Sequence, residues 1–343
     1  MKCRTSILKS NRAVTMLDVA REAKVSKPTV SRALSDNPLV TKETKEHIIA
    51  TARKLGYVVN RNAQKLRHKN TNTVAVSIDF LSHRQNRISD PFIFDLLAGI
   101  SEALGKKNID LLLTSPNHEN SEKFRNMIAG REVDGFIFIG QGRRTDLLLE
   151  SANFGIPMVV WGGTFDNAPY CVVGSDNYLG GQLAGKHLIS KGKRHILMVG
   201  DIEHIEINLR YKGLQKTVAD SSIEVELSHL PVANFSYDTA HEVAAKFFKH
   251  KSSSVDGVFA YSDTAAMAIA HALLELGKRI PEDISIVGYN DSSTAAVYRP
   301  GITTIQQDTY EAGELMVKLL LQQLEGKHPD SRLISTKLMV RES

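Results

Sequence analysis

Thr15-Met-Leu-Asp-Val-Ala-Arg-Glu-Ala-Lys-Val-Ser-Lys-Pro-Thr-Val-Ser-Arg-Ala-Leu34 is the stretch that decides how this chain is read. Thr15 and Asp18 stand three residues apart at its start, the spacing of a helix N-terminus in which a hydroxyl and a carboxylate serve the unpaired backbone N–H groups. Leu17, Val19, Ala20 and Ala23 follow as the apolar side of a first helix, and Lys24-Val25 makes a turn. Ser26 then caps a second helix with Pro28 in its first turn, where a missing N–H costs nothing. Val30, Ala33 and Leu34 recur at i, i+3 and i+4 and form its inward stripe, which turns Lys27, Pro28, Ser31 and Arg32 outward.

Working outward, Ser35-Asp-Asn-Pro38 ends the second helix. Thr41 caps a third, with Ile48, Ile49, Ala52 and Leu55 inside and Gly56 where a left-handed cap is wanted. Two short helices joined tightly and braced by a third make a helix-turn-helix head. Charge singles out the same region. Residues 1–70 hold 16 Lys and Arg against 5 Asp and Glu, while the rest of the chain holds 27 against 33. A concentrated positive block on a mildly acidic body suits a polyanion-binding head, because cations that neutralise phosphates release counterions.

Beyond residue 70 the pattern changes to apolar strands alternating with amphipathic helices. Thr73 to Ile78, Ile109 to Leu113, Phe136 to Ile139 and Met158 to Trp161 read as strands, and Phe92 to Lys107 as a helix with Leu96, Leu97, Ile100, Ala103 and Leu104 on one face. A second series comes later in the chain, in His195 to Val199, Val258 to Tyr261 and Ile284 to Val287. This is parallel-sheet α/β material. Val133-Asp-Gly-Phe-Ile-Phe138 recurs as Val255-Asp-Gly-Val-Phe-Ala260, and Gly155-Ile-Pro157 is echoed by Arg279-Ile-Pro281 at nearly the same displacement. Two echoes in phase predict two lobes of one design, with a ligand cleft beyond the carboxyl ends of their strands.

The bulk properties agree. A chain of 343 residues, 42% hydrophobic, has room for a small module and a larger core. Its two cysteines, Cys3 and Cys171, form neither a disulfide framework nor a zinc site. No signal peptide or membrane-spanning run is read, so a cytoplasmic, nucleoid-associated protein is expected.

On these residues the chain resembles the lactose-repressor and galactose-repressor (LacI/GalR) family over essentially its whole length beyond the opening segment. Leu17 to Leu34 matches the family's DNA-reading signature, and Leu55-Gly-Tyr57, Asn60-Arg61 and Leu66-Arg67 match its hinge. Ile284-Ser-Ile-Val-Gly-Tyr-Asn-Asp291 and Thr303-Thr-Ile-Gln-Gln-Asp308 look like its sensor core. The fold class implied is an all-α helix-turn-helix DNA-binding head plus an α/β core of two doubly wound parallel-sheet lobes, periplasmic-binding-protein-like. The expected domains are a disordered tail over 1–14, the helix-turn-helix domain over 15–58, a hinge helix or linker over 59–71 and a ligand-binding core over 72–343. The N-lobe would take roughly 72–174 and 303–327, and the C-lobe roughly 175–302 and 328–343.

The resemblance also implies roles. The second helix would enter the major groove, with Lys27, Pro28 and Arg32 facing base edges and Arg32 able to fork onto guanine. Thr15, Thr29, Ser31, Ser35, Tyr57, Asn60 and Arg61 would complete the DNA contacts. The hinge would fold on specific DNA, place Ala63 and Leu66 on one face and push Leu66 into the minor groove. Residue matching gives Phe92, Trp161, His204, Glu206, Arg210, Phe235, Ser262, Asp263, Asn290 and Asp291 as the effector site. Arg210 would fork onto ligand oxygens, and Trp161 and Phe235 would stack on a sugar ring. Two positions depart from the pattern of relatives: Asn290 stands where an Asp is frequent, and Gly162 where some place a ligand-binding acid.

Other motifs point to chemistry only superficially. Gly180-Gly-Gln-Leu-Ala-Gly-Lys186 has the spacing of a phosphate loop, but His187 replaces the magnesium-binding hydroxyl and the stretch lies in the helix pattern Tyr178 to Lys191. Gly140-Gln-Gly142 is half of a dinucleotide fingerprint, and His241-Glu242 lacks the second histidine of a zinc-protease helix. No catalytic residue, metal or cofactor is expected, and no membrane partner. The expected protein is a non-enzymatic homodimer on palindromic operator DNA: a repressor of carbohydrate-utilisation genes, released by a mono- or disaccharide bound between the lobes. The alternative is a corepressor-dependent regulator sensing a purine or another small metabolite. No leucine heptad follows Leu333 to Val340, so a dimer is expected over a tetramer, and Met16 competes with Met1 as the natural start.

Overall fold

The computed structural model describes residues 14–58, 70–78, 90–114, 120–141, 145–164, 168–250 and 254–343. Residues 1–13 of the tail expected over 1–14 and most of the hinge, with Asn60, Arg61, Ala63 and Leu66, lie outside the described residues. The chain divides into two compact units, Met1–Asn70 and Thr71–Ser343.

The first unit is built from α1 (Met16–Glu22), α2 (Lys27–Leu34) and α3 (Lys42–Leu55). Each starts on local chemistry. The Thr15 backbone N–H donates to the Asp18 carboxylate at 2.9 Å, and Thr29 and Thr44 donate their N–H groups to the hydroxyls of Ser26 and Thr41. Lys24 takes φ +55° to turn α1 into α2, and Gly56 closes α3 at φ +69°, the left-handed region that a glycine enters without steric cost. Val19, Ala20, Ala23, Val30, Ala33, Val40, Ile48 and Ala52 form one core. Leu17, expected inside, is 53% exposed. It stands two residues, about 200° of helix rotation, from the buried Val19, so a seven-residue helix cannot bury both.

The second unit holds two six-stranded sheets. The first runs β11-β5-β4-β3-β1-β2, from β1 (Thr73–Ile78), β2 (Asp110–Leu113), β3 (Gly135–Ile139), β4 (Met158–Trp161), β5 (Cys171–Ser175) and β11 (Arg332–Ile334), with every pair parallel. The second runs β12-β10-β9-β8-β6-β7, from β6 (His195–Val199), β7 (Glu226–Leu230), β8 (Gly257–Ala260), β9 (Ser285–Asn290), β10 (Thr303–Gln307) and β12 (Thr336–Met339); only β12, on β10, is antiparallel. Residues of β1, β3, β4, β8 and β9 are buried throughout, as parallel strands covered on both faces require.

The duplicated motif occupies matching places. β3 and β8 stand fourth in their sheets, and the Asp before each ties down the start of the neighbouring strand: Asp134 accepts from the Thr71 N–H at 2.7 Å, and Asp256 from the N–H groups of Arg194 and His195 at 2.9 Å. Two segments fall in the lobe opposite to the one expected. Thr303–Gln307, expected in the N-lobe, pairs with β9 of the second sheet, and Arg332–Ile334, expected in the C-lobe, pairs with β5 of the first. The strand expected over 333–340 is therefore two short strands in different sheets, with Ser335 between them. The chain crosses between lobes three times, after β5, β10 and β11, and an apolar alternation carries no mark of the sheet it joins.

The helices of this unit are α4 (Pro91–Gly105), α5 (Ser121–Ala129), α6 (Thr145–Asn153), α7 (Asn177–Ser190), α8 (Ile205–Ala219), α9 (Tyr237–His250), α10 (Asp263–Glu275), α11 (Ser293–Val297) and α12 (Thr309–Leu324). No helix among the described residues is long and apolar enough to cross a membrane.

Candidate functional sites

In the first unit, α2 carries an outward face of Lys27, Pro28 and Arg32, followed by exposed Ser35. The cations of α1 and α3 are partly neutralised: Lys45 pairs with Asp36, Lys54 with Glu22 and Arg21 with Asp18. Among the described residues Lys27 and Arg32 have no carboxylate partner, so α2 presents uncompensated positive charge. Thr29 and Ser31 are half-buried, the former with its hydroxyl 2.7 Å from that of Ser26, and the Ser35 hydroxyl donates to the Ser31 carbonyl. Thr15 holds Asp18 at the start of α1, and Tyr57 packs against the head's core.

In the second unit a cleft opens at the carboxyl ends of the parallel strands of both sheets, with about 740 Å³ of space in it when the open solvent at its mouth is included. Each lobe contributes an aromatic wall. From the first, Phe92 on α4 and Trp161 at the end of β4 lie with ring centroids 5.8 Å apart; from the second, Phe235 sits between His204 at 4.9 Å and Tyr261 at 5.3 Å. Polar groups interrupt the walls: Asp90, Gln141, Glu206, Arg210, Ser262, Asn290 and Gln307. Arg210 is the most constrained. Its Nε donates to Asn177 Oδ1 at 2.8 Å, one Nη donates to the Tyr261 carbonyl at 2.6 Å, and the guanidinium lies 3.5 Å over the Tyr289 ring. Burial holds its pKa below the usual arginine value.

Eight of the ten effector residues expected from sequence therefore line one cavity. Asp263 and Asp291 stand outside its lining. Asp263 is fully buried and accepts from the Ser292 N–H and the Thr304 hydroxyl, fastening the loop after β9 to β10; burial pushes its pKa up to about 7. Asp291, beside Asn290 where the backbone turns through positive φ, pairs with Arg341 and accepts from Gln306.

The cleft also takes residues that sequence reasoning missed. Asp90 caps α4 through the Phe92 N–H at 3.1 Å, and burial raises its pKa to about 6. The Asp90-Pro91 pair just before an apolar helix was its available signal. Gln307 donates to Asn290 Oδ1 at 2.7 Å and accepts from the Ser175 hydroxyl, so it joins two of the crossover strands beside the cleft. Gln141 accepts from the Gly163 N–H and fills the space where a side chain at Gly162 would stand, since a Cβ there would lie 2.5 Å from its Oε1. The phosphate-loop spacing has a packing explanation. A Cβ on Gly181 would lie 1.9 Å from the Arg210 carbonyl oxygen and one on Gly213 2.0 Å from that of Tyr178, so glycines let α7 and α8 cross backbone to backbone and set Arg210 against Asn177.

Residues 15–60 match the bacterial regulatory proteins of the lacI family, and residues 186–343 match the periplasmic binding protein-like domain. HTH-type transcriptional regulator CelR of Thermobifida fusca is 30% identical over 98% of this chain and 100% of its own length. The chain belongs to the LacI family. It is similar too to the ribose operon repressor of Halalkalibacterium halodurans, 31% identical over 96% of each chain. Among solved structures, the CelR–cellobiose complex matches 96% of this chain and 99% of its own with a TM-score of 0.69 at 28% identity. This LacI-family protein is a DNA-binding transcription regulator, and these relatives are regulators rather than enzymes.

Proposed function

We propose that this LacI-family regulator is a repressor of carbohydrate-utilisation genes that binds a palindromic operator as a homodimer and is released when a mono- or disaccharide fills the cleft. The observation that carries the effector class is the cleft's construction. Aromatic faces from both lobes suit the apolar faces of a pyranose, and the carboxylate, amide and guanidinium groups between them suit its hydroxyls. The relatives support the class: one was solved with cellobiose, and another is named for ribose.

On the DNA side, Lys27 and Arg32 of α2, which have no carboxylate partner among the described residues, are assigned to the major groove, with Arg32 reading guanine. Segment 59–71 is assigned as the hinge, with Leu66 as the minor-groove wedge. A sugar that binds the closed lobes more tightly than the open ones shifts their population, and the operator affinity changes by the same coupling free energy.

Trp161 is the chain's only tryptophan and lines the cleft, so it reports on occupancy. Titrating its fluorescence with mono- and disaccharides and with purines should give saturable changes with sugars alone, and the same sugars should release the protein from operator DNA in an anisotropy assay. A response to purines only, or tighter operator binding with sugar, overturns the proposal.

A further inference from the structure

The His241-Glu242 pair lacks a second histidine in sequence, yet the fold supplies one. His241 on α9 faces His271 and Glu275, one turn apart on α10, and one ligand atom from each of the three lies within 4.8 Å of the others. We propose that His241, His271 and Glu275 form a surface binding site for a divalent transition-metal ion, with Zn²⁺ the best-matched occupant, that clamps α9 to α10.

The existing contacts already have the shape of such a site. Glu275 Oε2 lies 2.8 Å from His241 Nε2 and its Oε1 3.4 Å from His271 Nε2, so both imidazoles aim the same ring nitrogen at one carboxylate. Tetrahedral zinc with bonds of about 2.0–2.1 Å needs neighbouring ligand atoms about 3.3 Å apart, so ligand atoms that lie within 4.8 Å of one another need to close by about 1.5 Å at most. His271 is oriented for the task by the Tyr237 hydroxyl, 2.9 Å from its Nδ1, an outer partner of the kind that fixes a metal-binding imidazole and leaves Nε2 for the ion. The side chains of His241, His271 and Glu275 are 25%, 48% and 52% exposed, which leaves an open entry path and room for water as a fourth ligand. Two imidazoles and one carboxylate make a borderline donor set that selects Zn²⁺, Ni²⁺ or Cu²⁺ over Mg²⁺ or Ca²⁺. The clamp has a route to the cleft, since Phe235 lies two residues before α9 and Ser262 caps α10.

The test uses Co²⁺ and Zn²⁺ on the full chain. Co²⁺ should bind once per chain with the intense visible absorption of a tetrahedral ion, Zn²⁺ should displace it, and Zn²⁺ should raise the melting temperature. His241→Ala and Glu275→Gln should abolish the absorption and weaken Zn²⁺ more than Tyr237→Phe, which should weaken it about tenfold. These side chains are partly exposed, so an unchanged metal-free melting temperature verifies folding; should Ala at 241 lower it, His241→Gln serves instead. Only the weak absorption of an octahedral ion, or an unchanged Zn²⁺ affinity in the His241 and Glu275 variants, overturns the site.

Discussion

Replacing Asp263 with Asn should remove a large part of the pH dependence of the second unit's stability. Burial raises this carboxyl from 3.8 to about 7 in the folded protein. The native state therefore binds more protons than the unfolded chain between those values; the stability is fully present below about pH 4 and lost as pH rises through about 7. A difference of about 3 pKa units at 1.36 kcal/mol each corresponds to about 4 kcal/mol across that window. An Asn at this position can still accept from the Ser292 N–H and face the Thr304 hydroxyl, but it carries no charge to desolvate. Whatever constant offset the amide introduces, the stability of Asp263→Asn relative to wild type should climb by about 4 kcal/mol from pH 4 to pH 8, roughly 10 °C in melting temperature for a unit of this size. Asp90, whose carboxyl titrates near 6, is present in both proteins and contributes to both curves. Thermal melts at half-unit pH steps measure the difference. Parallel curves for the two proteins would show that Asp263 is ionised in the fold without cost, and the reasoning would fail.

Three further outcomes are expected. Arg32→Ala should relax operator preference at one base pair by about 1–3 kcal/mol, measured by anisotropy on a set of single-substitution operators; an equal loss on every sequence would make Arg32 a phosphate contact. Arg210→Ala removes the donors to Asn177 and the Tyr261 carbonyl, so it should lower stability by about 3 kcal/mol and abolish the Trp161 response to sugars; an unchanged sugar affinity would remove Arg210 from the site. Gly181→Ala should cost more than about 3 kcal/mol, because its Cβ meets backbone and not a movable side chain; a melting temperature within a degree of wild type would contradict the close crossing of α7 and α8.

The head was legible residue by residue because what builds it is local: caps three residues from their partners, a tight turn, and an apolar stripe at helical spacing. Leu17 failed on helix phase, Ser31, expected outward, is half-buried, and Ile49, expected inside, stands outside the buried core. The two lobes were legible as a repeat, since each needs the same strand-end aspartate to tie down its neighbouring strand. The three crossovers were given by the family resemblance, but the last two were placed one strand too early, before β10 and β11 instead of after them. The removal of Asp263 and Asp291 from the cleft was not legible: both carboxylates are spent on partners that the folded loop brings to them.

Sequence by itself determined the three helices of the head, the alternation of strands and helices in two series beyond it, that the head is cationic, and that an arginine and several aromatic rings are available for a guest. Tertiary structure alone decided which of them meet. Asn290 reaches toward Asp90 across 200 positions of chain, Gln307 joins Ser175 to Asn290 because three crossovers place their strands side by side, and His241 finds His271 and Glu275 only because α9 packs on α10. Local propensity acts over one helical turn or one strand pair, whereas a cleft between two sheets is assembled from strand ends whose neighbours are set by sheet order.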